Sequence, residues 1–90
     1  MVYVDMLLNY GWKLGPSCHL LADSEDELHD FAAKIGMKRS WFQDGDTHTM
    51  PHYDLVASRR KLAVKNGAIE IDRKQLCERI ENYKILKNQP

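Results

Sequence analysis

The chain has 90 residues, 13 basic and 13 acidic side chains, and a formal net charge of zero; 43% of it is hydrophobic and 29% charged. A chain this short buries about 60–65% of its unfolded surface, enough for one modest core, so residues 1–90 read as a single domain. The charge balance excludes broad, charge-driven wrapping of nucleic acid, and the apolar fraction excludes intrinsic disorder.

Cys18 and Cys77 are far apart and form no CxxC unit, so free, buried thiols are expected rather than a disulfide. The first residues carry no basic lead, and Met6-Leu7-Leu8 is too short an apolar run for a signal peptide or membrane span. A cytoplasmic location is the expectation.

In chain order, residues 2–8 read as a nearly apolar strand interrupted by Asp5. Residues 9–17 hold two glycines and a proline and read as a loop. Residues 18–22 read as a second strand ending at Asp23. Ser24 and Glu27 have capping-box spacing, and Leu28, Phe31, Ala32 and Ile35 recur at helical period before Gly36. A first helix is predicted there.

Residues 40–43 (Ser-Trp-Phe-Gln) read as a third strand, with Trp41 and Phe42 in the core, and residues 44–51 as a polar loop. Asp54 is placed as the N-cap of a second helix reaching Lys65, closed by Asn66-Gly67. Residues 68–71 read as a fourth strand. Asp72 with Gln75 caps a third helix, whose apolar stripe is Leu76, Ile80 and Tyr83. The predicted fold is α/β: a small mixed or mostly parallel four-stranded sheet with three helices, in the order β-β-α-β-α-β-α. Helices between strands two, three and four favour parallel crossovers. The first two strands, joined by a loop alone, suit antiparallel neighbours.

In open α/β sheets ligands bind beyond the carboxyl ends of strands. That rule directs attention to Asp23, to Gln43, and to His52, Tyr53 and Asp54 after the polar loop. His52 is a candidate general base or metal ligand, and Asp54 its candidate carboxylate partner in catalysis or metal binding. A solvent-exposed loop histidine and a simple helix cap are the plainer readings; His48 reads as such a loop histidine. His19 is a weaker candidate ligand, since a mid-strand histidine is more often a hydrogen-bonded core residue. His19 and Asp23 lie about 13 Å apart along an unbroken strand, too far to share one metal. His29 reads as a surface residue on the flank of the first helix.

Helical spacing places Arg59 inside the stripe formed by Leu55, Val56, Leu62 and Ala63. A charge there requires a carboxylate or an anionic ligand. Arg59, Tyr53, Gln43, Asp23 and Arg60 are therefore candidate ligand-binding residues, with Asp5, Asp23 or Asp54 as structural partners of Arg59 in the alternative. No glycine-rich phosphate loop, GxSxG elbow or HExxH motif is present.

The segments Cys18-His19-Leu20-Leu21-Ala22-Asp23, Asp26-Glu27-Leu28-His29-Asp30-Phe31-Ala32, Ile35-Gly36-Met37, Trp41-Phe42-Gln43 and Pro51-His52-Tyr53-Asp54-Leu55 resemble a family of small bacterial and bacteriophage proteins, the domain of unknown function 4031. Arg60-Lys61-Leu62-Ala63-Val64 and Gly67-Ala68 fit it too. The resemblance spans residues 1–72, a family-like core, and leaves 73–90 as a C-terminal helix and tail. It implies a bacterial or phage cytoplasmic protein and brings no activity with it.

Three functions suit these residues. The first is a module binding an anionic, phosphate-bearing ligand or a host partner protein at the carboxyl end of the sheet. The second is a metal-dependent phosphoester hydrolase or nuclease-like enzyme using His52 and Asp54, with a divalent metal as cofactor. The third is a structural protein acting through a homo-oligomeric surface; Ile85 and Leu86, off the apolar stripe of the third helix, read as part of such a surface or as a frayed tail.

Overall fold

The computed structural model describes residues 1–11, 13–45 and 49–87. The order is β1 (Val2–Val4), β2 (Ser17–Ala22), α1 (Glu25–Lys34), β3 (Tyr53–Val56), α2 (Ala57–Lys65), β4 (Ile69–Glu70) and α3 (Arg73–Lys87), with a 3-10 turn at Arg39–Trp41. This is the expected β-β-α-β-α-β-α order. The sheet runs β3-β2-β1-β4 and is mixed. β2 is antiparallel to both β1 and β3, and β4 is parallel to β1. The parallel crossover expected between strands two and three does not occur.

Side chains alternate across the strands, and the alternation sorts them into two layers. Val2, Val4, Cys18, Leu20, Ala22, Tyr53 and Leu55 face α1 and α2, where they meet Leu28, Ala32, Ile35 and Ala63. Leu20, Leu55 and Tyr53 are at most 1% exposed, each worth about 1.5–3 kcal/mol in burial for a large apolar side chain. On the other face Tyr3 and Leu21 pack with Met50 and Ile71, and with Leu76, Ile80 and Tyr83 from α3. The Ser24 hydroxyl accepts from the Glu27 amide at the start of α1. Asp72 and Gln75 exchange reciprocal side-chain bonds to each other's amides before α3. The Asp72–Gln75 capping box thus closes in both directions, while at Ser24 the hydroxyl cap forms and the Glu27 carboxylate accepts from the Met1 ammonium.

Two predicted elements are displaced. Residues 40–43 do not make the third strand; Arg39–Trp41 is a 3-10 turn, and Gln43 forms one isolated bridge to His52. The strand is Tyr53–Val56, so Asp54 lies within it and is not a helix cap. The alternation His52-Tyr53-Asp54-Leu55, polar then apolar, is a period-2 signal, and pairing with β2 outweighs the capping tendency of Asp54. α2 consequently begins at Ala57, and the stripe that included Leu55 and Val56 dissolves. Trp41 is 47% exposed and is not core. His29 is no simple surface residue: its ring bonds the Tyr53 hydroxyl and stacks edge-on against Phe42, with centroids 4.5 Å apart.

Candidate functional site

The register of the two antiparallel ladders sets a transverse polar row on the α3 face. Val4 pairs with Leu20, which brings Asp5 beside His19 one step further along. His19 is the direct partner of Asp54 on β3. His52, two residues before Asp54, points to the same face. Strands 4.7–4.9 Å apart bring such cross-strand side chains into contact.

The two imidazoles are oriented by fixed acceptors. His52 Nδ1 is 2.8 Å from the Met50 carbonyl oxygen, which can only accept, so the proton sits on Nδ1. His19 Nδ1 donates to Asp5 Oδ2 at 2.8 Å, while Asp5 Oδ1 accepts from the His19 amide at 2.5 Å. In both neutral rings the lone pair therefore lies at Nε2. Both Nε2 atoms approach Asp54 Oδ1, at 3.5 Å from His52 and 4.0 Å from His19. The rings meet edge-on with centroids 5.0 Å apart. One donor atom from each of His19, His52 and Asp54 falls within 4.8 Å of the other two.

Charge sharpens the picture. Asp5 is 3% exposed, and Asp54 is largely buried. Among the described residues, neither carboxylate pairs with a lysine or arginine; their ion-pair partners are the imidazoles alone. The hydrogen bond to Asp5 raises the His19 pKa, against the lowering effect of burial, and the charges of Asp5 and Asp54 add to the rise. The Gln43 side-chain amide donates to Asp54 Oδ2, leaving Oδ1 to face the histidines. Arg60 braces the row from beneath: its Nε donates to the Asp5 carbonyl at 2.9 Å and its Nη1 to Glu70 at 2.9 Å.

The row lies between two cavities. A cavity of about 520 Å³ wraps the β3 edge and is lined by Asp54, Gln43, Arg59, Trp41, Phe42 and Leu14. A second, about 290 Å³, lies on the His19 side, between Asp5, Tyr10 and the α3 residues Arg73 and Cys77.

The structure brings together His19, His52 and Asp54, with Gln43 bonded to Asp54 and Arg59 lining the adjoining cavity. It does not bring Asp23 or Tyr53 to them. Asp23 accepts from the Tyr3 hydroxyl at 3.1 Å, Arg79 at 3.2 Å and the Met1 ammonium at 3.1 Å. Tyr53 turns into the opposite core, where its hydroxyl meets His29 at 2.8 Å. Arg60 supports Asp5 and lines neither cavity. Arg59 has no carboxylate partner among the described residues; its Nη1 donates to the Ile35 carbonyl at 3.0 Å. His19 and Asp54 lie within their strands, His52 just before β3, and Asp5 alone directly after the carboxyl end of its strand, β1. His48 lies outside the described residues. Asp5 is the residue that sequence reasoning missed as a site member. Its signal was a lone carboxylate inside an apolar strand.

The fold and this cluster define a small α/β protein with a paired-histidine, single-carboxylate donor set on one sheet face. The family model described as "Protein of unknown function (DUF4031)" matches residues 2–83, and the chain belongs to that family. The match runs past Asp72 and takes in most of α3. No curated protein and no solved structure matches the chain. Among the described residues, no helix is long and apolar enough to cross a membrane.

Proposed function

We propose that the chain holds one divalent metal ion at His19 Nε2, His52 Nε2 and an Asp54 oxygen, and uses it to hydrolyse a phosphate ester bound in the adjoining cavity. The observation that carries this reading is the convergence of three donor atoms whose imidazoles are both fixed through Nδ1, one by a carboxylate and one by a carbonyl. Such outer partners orient metal-binding histidines and raise their basicity. A zinc ion at about 2.0–2.1 Å from each donor requires the donors to draw in to roughly 3.3 Å of one another. The two histidine Nε2 atoms now stand 3.5 and 4.0 Å from Asp54 Oδ1, and the three donors lie within 4.8 Å of one another.

Two imidazoles and one carboxylate suit a first-row ion such as zinc and leave a coordination position open. A metal held by His19, His52 and Asp54 would supply positive charge and would activate water near neutral pH. In the hydrolysis, water would give its oxygen to phosphorus and its proton to the leaving alcohol as the ester P–O bond breaks. Asp5 holds His19 in place, Gln43 holds Asp54, and Arg59 offers a cation to the phosphate.

Equilibrium dialysis against zinc and manganese, followed by a phosphomonoester and phosphodiester panel with and without metal, tests the reading. One metal per chain and turnover lost in His52→Ala support it. Failure to retain metal at micromolar concentrations defeats it. Retention of metal and of phosphate ligands with no turnover favours recognition without reaction, the binding module among the functions above.

A further inference from the structure

The larger cavity adjoins the donor cluster through Asp54. Its walls combine the half-exposed Trp41, with Phe42 and Leu14, and one guanidinium, Arg59. Two further cations lie over the aromatic rings without lining the cavity. Lys38 Nζ lies 5.5 Å from the Trp41 ring centre, and Arg39 Cζ lies 4.8 Å from that of Phe42. Among the described residues, none of Lys38, Arg39 and Arg59 forms an ion pair. Among the described residues, the only carboxylate lining the cavity is Asp54, which the metal centre claims. A volume of about 520 Å³ lies in the range of small-molecule pockets.

We infer that this cavity selects a phosphate ester whose organic part is a planar ring, as in a nucleoside monophosphate, with Trp41 and Phe42 as the ring's platform and Arg59 as the specificity determinant for its phosphate. The inference rests on the metal-dependent reading for what happens to the phosphate, but the pocket itself is separately testable. The aromatic walls supply the dispersion contact that a flat π-system rewards. The guanidinium supplies a forked donor that fits phosphate oxygens. Asp54 joins the two sites: one oxygen faces the histidines, and the residue also lines the pocket. Arg59 and Asp54 line the same cavity, so a phosphate held by Arg59 shares that cavity with the carboxylate of the centre.

The test is calorimetric titration of the full chain, zinc-loaded and zinc-free, with adenosine monophosphate, adenosine and glycerol phosphate. Trp41 emission serves as the reporter of location in a Trp12→Phe background. The expected result is at least ten-fold tighter binding of adenosine monophosphate than of either partial ligand, with quenching of Trp41. Arg59→Gln should lower adenosine monophosphate binding at least ten-fold while leaving adenosine binding and zinc stoichiometry unchanged. Because Arg59 also holds the Ile35 carbonyl, Trp41→Leu at an exposed position gives a second variant; it should erase the advantage of adenosine monophosphate over glycerol phosphate. Equal binding of those two ligands by the unaltered chain overturns the inference, and so does a folded Arg59→Gln protein with undiminished affinity. Loss of the metal reading has a different signature: no zinc retained, with the ring and phosphate preferences still present.

Discussion

His19 and Asp54 face each other across the β2–β3 ladder, with His19 Nε2 4.0 Å from Asp54 Oδ1. On its other side His19 donates through Nδ1 to Asp5. One imidazole thus bridges two buried or largely buried carboxylates contributed by the strands on either side of its own. Backbone pairing places His19 opposite Asp54, and the Asp5 amide donates to the His19 carbonyl on the other side.

If Asp5 acts by orienting His19, its charge matters more than its volume. Asp5→Asn keeps an acceptor oxygen and removes the carboxylate, and it should weaken zinc binding about 10–100-fold, as loss of an outer-shell partner does. His19→Ala and Asp54→Ala should lose stoichiometric zinc altogether. Competition with a chromophoric chelator reads both. Zinc should also raise the melting temperature of the unaltered chain by mass action and leave that of Asp54→Ala unmoved.

Gly36, after α1, has φ +80°, and a methyl group there would stand 3.1 Å from Arg59 Nη1. Gly36→Ala meets both a left-handed backbone and a displaced guanidinium. It should cost about 1–2 kcal/mol in chemical denaturation, and the Arg59 side chain should shift within the cavity. An unchanged midpoint would mean that Arg59 does not pack there.

The two thiols should differ sharply in reactivity. Burial pushes the Cys18 thiol up to about 12, reinforced by the charge of Asp5, while Cys77 is exposed. At pH 8 the thiolate fraction of Cys18 is about one in ten thousand. A disulfide reagent should titrate one thiol rapidly in the folded protein and two after denaturation. Cys77→Ser should remove the fast phase.

Asp23 ties α3 to the sheet through Arg79, whose guanidinium carbon lies 3.4 Å from the Tyr3 ring centre. Arg79→Ala should destabilise by about 1 kcal/mol through loss of that stacking and its ion pair. Burial works against the Asp23 charge. Hydrogen bonds from the Met1 ammonium and Tyr3, and the charge of Arg79, outweigh it and lower the pKa below 3.8. A depressed carboxyl pKa gives stability that is fully present above the unfolded value and lost as pH falls through the folded one. The melting-temperature difference between the unaltered chain and Asp23→Asn should therefore be steady near neutral pH and shrink below about pH 4. A difference unchanged at pH 2 would refute the linkage.

Local signals that depend on neighbours in sequence were legible. Ser24 with Glu27 and Asp72 with Gln75 marked two helix starts, because a capping box closes within four residues. The element order followed from hydrophobic period and turn residues. Where two local signals competed, the reading failed. Trp41-Phe42 has the composition of a strand, and Asp54 the chemistry of a cap. Only the partner strand β2, with Cys18 and Leu20 facing Leu55 and Tyr53, settles that Tyr53–Val56 pairs and residues 39–41 turn.

The candidate site divides along the same line. The sequence by itself determined the donor types, singled out His52 and Asp54 as neighbours, and marked Asp5 as a charge out of place in an apolar strand. It also determined the capped helices that cover the sheet. Only the tertiary structure decided that His19 joins His52 and Asp54, that Asp23 and Tyr53 do not, and that Arg59 answers to a carbonyl and a cavity. The reason is register. Shifting a β pairing by one residue sends every side chain to the opposite face, and that choice is made by burial of both sheet faces at once.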